Sequence, residues 1–235
     1  VTFGSGLTNI GDSAFRGTTS LTSVTIPDSV INIGDSAFRD ALNLTSITFG
    51  SYLEYIGSYA FYNTALTSLA IPDSVSTINS YAFQNLTSLA SLKLGSGITS
   101  IGYNAFQNIC TSSVSNLVSV ELYLSAIPSY LLQYCTGLTS LTLGDSVTSI
   151  GQGAFYGTTS LSSVTIPDSV TSIGYRAFYT ASGLTSLTFG SGLTSIGDQA
   201  FYGTALTSIN IPDLVTSIGS GAFYGTALTS INIPD

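Results

Sequence analysis

The sequence lacks several residue types on which enzymes and nucleic-acid-binding proteins depend. It contains no histidine, methionine or tryptophan, only two cysteines, and four basic residues against twelve acidic ones, for a net charge of −8. The lack of histidine excludes histidine-dependent nucleophiles and histidine zinc sites. Sparse, unclustered basic residues exclude electrostatic binding to nucleic acid or to an anionic membrane. We therefore expect no enzymatic activity and no cofactor.

Long hydrophobic runs and phosphate-binding motifs are also missing. No stretch approaches the roughly 18–20 apolar residues that span a bilayer, and the chain shows no signal peptide. Neither a P-loop nor a dinucleotide-binding glycine fingerprint occurs. Because 44% of the residues are nevertheless hydrophobic, the chain has the composition of a folded protein and not of a disordered one.

The dominant feature of the sequence is a repeat marked by the dipeptide Ala-Phe. Its phenylalanines are Phe15, Phe38, Phe61, Phe83, Phe106, Phe155, Phe178, Phe201 and Phe223. Successive spacings are 22 or 23 residues, apart from one gap of 49, and a fixed period in this range predicts a solenoid. We expect a single solenoid over residues 1–235, with about ten repeats of roughly 22–26 residues. We also expect an irregular unit at about residues 107–135 and chain ends that fall within a repeat.

Each repeat contains two segments with the alternation of a strand and one turn with an interior aromatic. Val164 and Ile166 alternate with polar residues and predict a short strand with these side chains inward. A Pro-Asp or Gly-Ser pair ends this strand, and Val170 and Ile173 predict a second, shorter one. The following Ala-Phe pair, with Phe178 as an example, is expected on one helical turn with the phenylalanine in the core.

The repeated strings identify a family resemblance. The octapeptide SVTIPDSV occurs at Ser23–Val30 and again at Ser163–Val170. The longer pattern L-T-S-V-T-I-P-D-S-V-T-S-I-G-x-x-A-F resembles the BspA-like (Treponema pallidum type) class of leucine-rich repeat over essentially the whole chain. We expect a β-rich α/β repeat solenoid, a right-handed leucine-rich-repeat superhelix with parallel strand ladders and short helical turns.

The resemblance also implies a function. Proteins of this class are typically surface or secreted proteins of host-associated bacteria and of protists. It implies a non-enzymatic, extracellular or cell-surface protein that mediates adhesion or protein–protein interaction through a protein or glycan ligand. The alternative is a structural subunit or segment of a head-to-tail surface fibre, because the repeats are nearly identical and both chain ends fall on a strand.

Two cysteines fall in the irregular unit. Cys110 follows Phe106 by four residues and Cys135 follows Leu132 by three, so both occupy the same corner of adjacent coils. Neighbouring coils are about 5 Å apart, which is within the range of Cα–Cα distances that a disulfide spans. One prediction is therefore a Cys110–Cys135 disulfide. The alternative is two free thiols packed as small apolar groups.

Three further sets of residues are candidate surface sites. Tyrosines follow the core phenylalanine in four consecutive repeats, Tyr156, Tyr179, Tyr202 and Tyr224, and form either a contact stripe or packing between corners. Asn43 and Asn85 begin Asn-Leu-Thr glycosylation sequons. Asp145 and Asp168, in the turns after neighbouring strands, either hold Ca²⁺ through their oxygens or are solvated turn residues.

Overall fold

The computed structural model describes residues 3–111 and 115–233. The chain divides into two compact units, unit 1 (Val1–Ile109) and unit 2 (Cys110–Asp235). Each unit is a parallel β-solenoid. One turn of the solenoid, a coil, contains a longer strand of three or four residues, a strand of two residues and a turn around the interior phenylalanine.

Unit 1 contains nine strands among its described residues. They are β1 (Asn9–Ile10), β2 (Ser23–Thr25), β3 (Asn32–Ile33), β4 (Ser46–Thr48), β5 (Tyr55–Ile56), β6 (Ser68–Ile71), β7 (Thr77–Ile78), β8 (Ser91–Leu94) and β9 (Ser100–Ile101).

Unit 2 contains eleven strands among its described residues. They are β10 (Ser119–Leu122), β11 (Ala126–Ile127), β12 (Ser140–Leu143), β13 (Ser149–Ile150), β14 (Ser163–Thr165), β15 (Ser172–Ile173), β16 (Ser186–Thr188), β17 (Ser195–Ile196), β18 (Ser208–Asn210), β19 (Ser217–Ile218) and β20 (Ser230–Asn232).

The two-residue strands form one uninterrupted parallel sheet in each unit. The orders are β1-β3-β5-β7-β9 and β11-β13-β15-β17-β19. The register places like on like, for example Ile10 on Ile33 and Ile173 on Ile196, so the same side chain recurs one coil further along. The predicted parallel ladders are confirmed.

The ladder of longer strands is interrupted, unlike the ladder of short ones. Parallel pairs form between β2 and β4, β6 and β8, β10 and β12, β14 and β16, and β18 and β20. Among the described strands of each unit, β4 does not pair with β6, β12 does not pair with β14, and β16 does not pair with β18. We call these three gaps the proline openings. In each, the second of the two unpaired strands leads directly to an Ile-Pro pair, whose prolines are Pro72, Pro167 and Pro212.

Proline accounts for the openings. At the aligned position after β12, the Gly144 N–H donates to the Leu122 carbonyl of the preceding coil at 2.8 Å. A proline has no N–H to donate and places a ring carbon there instead. β18 and β20 pair although Pro234, outside the described residues, follows β20. The coil before β20 also ends its longer strand in Ile-Pro, at Pro212. An opening therefore occurs only where a coil without this proline is followed by a coil that has it.

The Ala-Phe segments are not helical, and the prediction of short helical turns is wrong for the described residues. In the first such segment the Ala14 N–H donates to Gly11 O at 3.3 Å within the coil. The next N–H along the chain, that of Phe15, donates to Ala37 O of the following coil at 2.7 Å. Because successive N–H groups alternate between a turn and the neighbouring coil, the consecutive i to i−4 bonds of a helix do not form.

This alternation requires left-handed backbone at two positions in every coil. Among the described residues, those with positive φ lie two positions before or two positions after the core phenylalanine, or in the same places around Leu132 of the irregular coil. Glycine, asparagine and aspartate fill many of these positions, since they adopt this region at the lowest cost. The β-branched Thr180, with φ of 51°, is an exception that the inter-coil bonds stabilise.

The core of each unit is a column of stacked phenylalanines. In unit 1 the rings of Phe38, Phe61 and Phe83 are fully buried, with centroids 5.1 and 5.3 Å apart. In unit 2 the rings of Phe178 and Phe201 are fully buried and 5.3 Å apart. The predicted interior position of the phenylalanine follows from the period, because each coil places it over the last.

Candidate functional site

The four tyrosines of unit 2 form one stacked column, the tyrosine column (Tyr156, Tyr179, Tyr202 and Tyr224). Neighbouring ring centroids are 4.9, 4.7 and 5.0 Å apart, with interplanar angles of 20°, 12° and 18°. The parallel ladder sets this spacing, since consecutive coils lie about 4.8 Å apart. The first three rings are half-buried, and Tyr224 is 66% exposed.

Stacking decides which chemistry the tyrosine column presents. The ring faces lie against one another, so the solvent meets ring edges and hydroxyl groups. Burial raises the pKa of Tyr156, and the neighbouring Tyr134 and Tyr179 raise it further, against an opposing effect of Arg176. The Tyr156 phenol is therefore neutral at physiological pH, and it offers apolar area together with a hydrogen-bond donor.

An arginine is held beside the tyrosine column. The Arg176 guanidinium lies 4.8 Å from the ring centroids of both Tyr175 and Tyr179, within the range of cation–π attraction. Its Nε donates to Oε1 of Gln199 at 2.7 Å. At the other end, Tyr134 packs edge-on against Tyr156 at 5.3 Å. The column is thus held in place by both its neighbours and the coil period.

Unit 1 carries different side chains at the same repeat position. They are Arg16, Arg39, Tyr62, Gln84 and Gln107. The Arg39 guanidinium lies 5.1 Å from the Tyr59 ring and 5.0 Å from the Tyr62 ring. Sequence reasoning missed this cluster. The sequence feature that could have revealed it is Tyr59, a tyrosine two residues before the core phenylalanine Phe61.

The two cysteines form a disulfide in the structure. The Cα atoms of Cys110 and Cys135 are 5.0 Å apart, with a sequence separation of 25. Cys135 is fully buried and Cys110 nearly so. The bond closes the irregular coil, where Leu131 and Leu132 replace Ala-Phe in the interior. Part of this corner, residues 112–114, lies outside the described residues.

Both sequon asparagines have their amide groups engaged with a neighbouring coil. Nδ2 of Asn43 donates to the Thr19 carbonyl at 2.6 Å, and Oδ1 of Asn85 accepts a bond from Nδ2 of Asn108 at 2.9 Å. Asn43 is exposed, whereas Asn85 is half-buried with φ of 66°. Glycosylation at either stays a prediction, and at Asn43 it would displace an inter-coil hydrogen bond.

Three of the carboxylates that follow the longer strands bind the next coil. Oδ1 of Asp168 accepts the Ser191 N–H at 2.6 Å and its hydroxyl at 3.0 Å. These bonds, the backbone one first, lower the pKa of Asp168; Asp28 with Ser51 and Asp73 with Ser96 repeat the arrangement. Within residues 3–111 and 115–233 no group of three or more Cys, Asp or Glu side chains converges on a metal position. The proposed calcium pair, Asp145 and Asp168, has exposed side chains in successive turns.

Comparison with known proteins gives one family and several structures. The model of the BspA type leucine-rich repeat region matches residues 6–121 and 125–235, in six copies. No curated protein matches the chain. A leucine-rich repeat protein from Bacteroides ovatus is similar, with a TM-score of 0.75 and 27% identity over 93% of this chain. The chain spans 59% of the length of that protein.

Two further solved structures are similar. The leucine-rich repeat protein of Treponema pallidum has a TM-score of 0.54 and 26% identity, covering 66% of this chain and 72% of its own. One from Eubacterium ventriosum has a TM-score of 0.54 and 23% identity, covering 98% and 83%, and shows the fold alone. The part of the chain that the structure describes holds no helix able to cross a membrane. With its parallel coils, its repeat and the matched family model, the chain belongs to the BspA-type leucine-rich repeat family.

Proposed function

We propose that the chain is a non-enzymatic binding module, displayed outside the cell at a cell surface, that attaches to a protein partner through the tyrosine column. The observation that carries the proposal is the alignment of four tyrosines in consecutive coils, stacked at 4.7–5.0 Å, of which the first three are half-buried. Tyrosines fixed in this way lose little side-chain entropy when a partner binds, which is one reason aromatic residues are enriched at protein interfaces.

A protein partner fits this surface better than a glycan. Sugars bind aromatic residues by stacking on a ring face, and the faces of the inner tyrosines are covered by one another. Edges and hydroxyl groups suit the mixed polar and apolar surface of a protein. Family membership supports the same class of interaction.

The test is adhesion of beads coated with the purified chain to host epithelial cells and to neighbouring bacteria. A Tyr179→Ser, Tyr202→Ser double variant should reduce bead binding by about tenfold or more, since interface aromatics each carry about 1–2 kcal/mol or more. The matched control is Gln84→Ser, Gln107→Ser, at the same repeat position in unit 1. Equal binding by both variants, with unchanged circular dichroism, contradicts the proposal.

A structural fibre is the second candidate. The strand pairings place serine on serine in both units, for example Ser23 on Ser46 and Ser163 on Ser186, so coils from different parts of the repeat can pair in the same register. Negative-stain electron microscopy of material from the natural source distinguishes the two. Filaments of the solenoid's width support the fibre, and discrete short particles support the binding module.

A further inference from the structure

The proline openings uncover apolar side chains that the rest of the ladder buries. In unit 2, Leu187 and Phe189 precede the opening at Pro212 and are half-buried, whereas the aligned Ile209 and Ile211 after it are 4% and 3% exposed. The opening at Pro167 repeats the pattern with a half-buried Leu141. The strand before the Pro212 opening therefore exposes part of both inward side chains, and the strand before the Pro167 opening exposes part of Leu141 while Leu143 stays buried.

The backbone shows the same difference. Across the paired strands β14 and β16, the Ile166 N–H donates to Thr188 O at 2.8 Å. Among the described residues, no corresponding bond joins the Phe189 N–H to β18. An opening thus combines an apolar wall with an unpaired strand edge, which is an unusual surface for a folded protein to leave bare.

The opening of unit 1 contains a cavity. A cavity of about 430 Å³ lies at the opening before Pro72, within the range of small-ligand sites. Its lining consists of Ile47, Thr48, Phe49, Ala70, Ile71, Pro72, Asp73 and Lys93. A leucine-sized side chain fits a space of this volume.

The two openings of unit 2 lie two coils apart, and residues three apart in a polyproline II chain match this spacing. Neighbouring parallel strands lie about 4.8 Å apart, so two openings separated by two coils lie about 10 Å apart. A polyproline II chain rises about 3.1 Å per residue with three residues per turn, which places residues i and i+3 on one face about 9.3 Å apart. In a β-strand, residues i and i+2 on one face are only about 6.8 Å apart.

Charge at the openings selects the ligand further. Asp168 and Asp213 directly follow the two prolines, and both side chains are exposed. Residues 110–235 contain six acidic residues and one basic residue, for a net charge of −5. A segment that crosses both openings therefore meets negative charge beside each apolar cleft, which favours lysine or arginine between its apolar residues.

We propose that the openings at Pro167 and Pro212 form a two-pocket docking site for a basic polyproline II segment of a partner protein. The segment runs along the stacking direction and places apolar side chains at i and i+3 into the two clefts. The site lies on the strand ladder and does not involve the tyrosine column, so it stands or falls independently of the function proposed above.

The first experiment is a binding titration by fluorescence anisotropy with labelled peptides. A peptide of four Leu-Pro-Lys repeats has leucine at every third position, and proline holds each preceding leucine in extended backbone. We expect saturable binding of this peptide. The matched Leu-Pro-Lys-Lys peptide, with leucine at every fourth position, should bind about tenfold more weakly. Equal affinity of the two, or tighter binding of a helical peptide with leucines seven apart, overturns the proposal.

Variants of the protein supply the second arm. Pro167→Ala, Pro212→Ala keeps each β-carbon and restores both N–H groups, so the ladder should close and peptide affinity should fall about tenfold. Hydrogen exchange at the Phe189 amide should slow in the same variant. Pro128→Ala, which follows the two-residue strand β11 and not a strand of the longer ladder, is the control and should bind as wild type. Leu187→Ser, in one cleft wall, should also weaken binding. Unchanged affinity in both cleft variants overturns the proposal.

Discussion

Units 1 and 2 share one interior and differ at the surface beside it. The buried phenylalanines stack at 5.1–5.4 Å in unit 1 and at 4.8–5.3 Å in unit 2. The next residue along the chain is arginine, glutamine or, once, tyrosine (Tyr62) in unit 1, and a tyrosine in four coils of unit 2. The same repeat position therefore carries a mostly polar row in one unit and an aromatic column in the other.

The two units therefore show which repeat position is fixed by the core and which is free to vary. The phenylalanine is dictated by burial, since its site has no room for water or for a smaller side chain without a cavity. The following position is half-exposed, and the ladder holds it in place whatever residue occupies it. A surface that varies on a fixed frame is where a repeat protein acquires a specific partner.

The largest effect should come from breaking the shared interior. Phe178→Ala removes a fully buried ring between Phe155 and Phe201, and we expect the free energy of unfolding to fall by about 3–5 kcal/mol. Tyr179→Ala, one residue further, should cost only about 1 kcal/mol. Urea unfolding followed by circular dichroism measures both. Equal losses would mean that the tyrosine column is part of the core.

Reduction of the disulfide should act on unit 2 alone. The Cys110–Cys135 bond closes a loop of 25 residues, and its loss should lower the stability of unit 2 by about 3 kcal/mol. Hydrogen exchange with and without dithiothreitol measures each unit separately. Unit 1, which has no cysteine, is the internal control. Equal acceleration of exchange in both units would contradict the prediction.

Replacement of the glycine that follows a two-residue strand should destabilise the fold where the preceding coil packs against that glycine. A β-carbon on Gly174 would lie 2.9 Å from backbone atoms of Gly151 and Gln152, whereas one on Gly11 meets nothing within 4 Å. Gly174→Ala should therefore cost about 1–3 kcal/mol, and Gly11→Ala, at the same repeat position, should be close to neutral. Thermal unfolding compares the two variants. A neutral Gly174→Ala would show that the coils can separate at this corner.

The smallest effect should appear on acidification. Hydrogen bonds from Ser191 lower the pKa of Asp168 in the folded state. A lowered pKa stabilises the fold above the unfolded value of about 3.9, and this contribution is lost as pH falls through the folded value. The Ser191 amide signal, followed by NMR, should be constant above about pH 5 and should move below about pH 4. Asp168→Asn should abolish that movement, and a movement that persists would assign it to another group.

Several elements were predictable because each depends on the period alone. The parallel strands, the inward Val164 and Ile166, and the buried Phe178 follow from alternation and recurrence. Cys110 and Cys135 fall in one corner for the same reason. The Arg39 cluster and the links from Asp168 to Ser191 were not foreseen, because they join side chains of different coils at positions that the repeat leaves variable.

The sequence by itself determined the family, the coil length and the residues that face inward. Apolar positions that alternate and recur every 22 or 23 residues are buried when the coils stack in register. The tertiary structure alone decided how the backbone N–H groups are shared between coils. At Phe15 that sharing replaces the expected helix with left-handed turns. At Pro72, Pro167 and Pro212 the missing N–H group leaves the longer strands of neighbouring coils unpaired. Both outcomes depend on hydrogen bonds between residues about 23 positions apart, which local propensity does not encode.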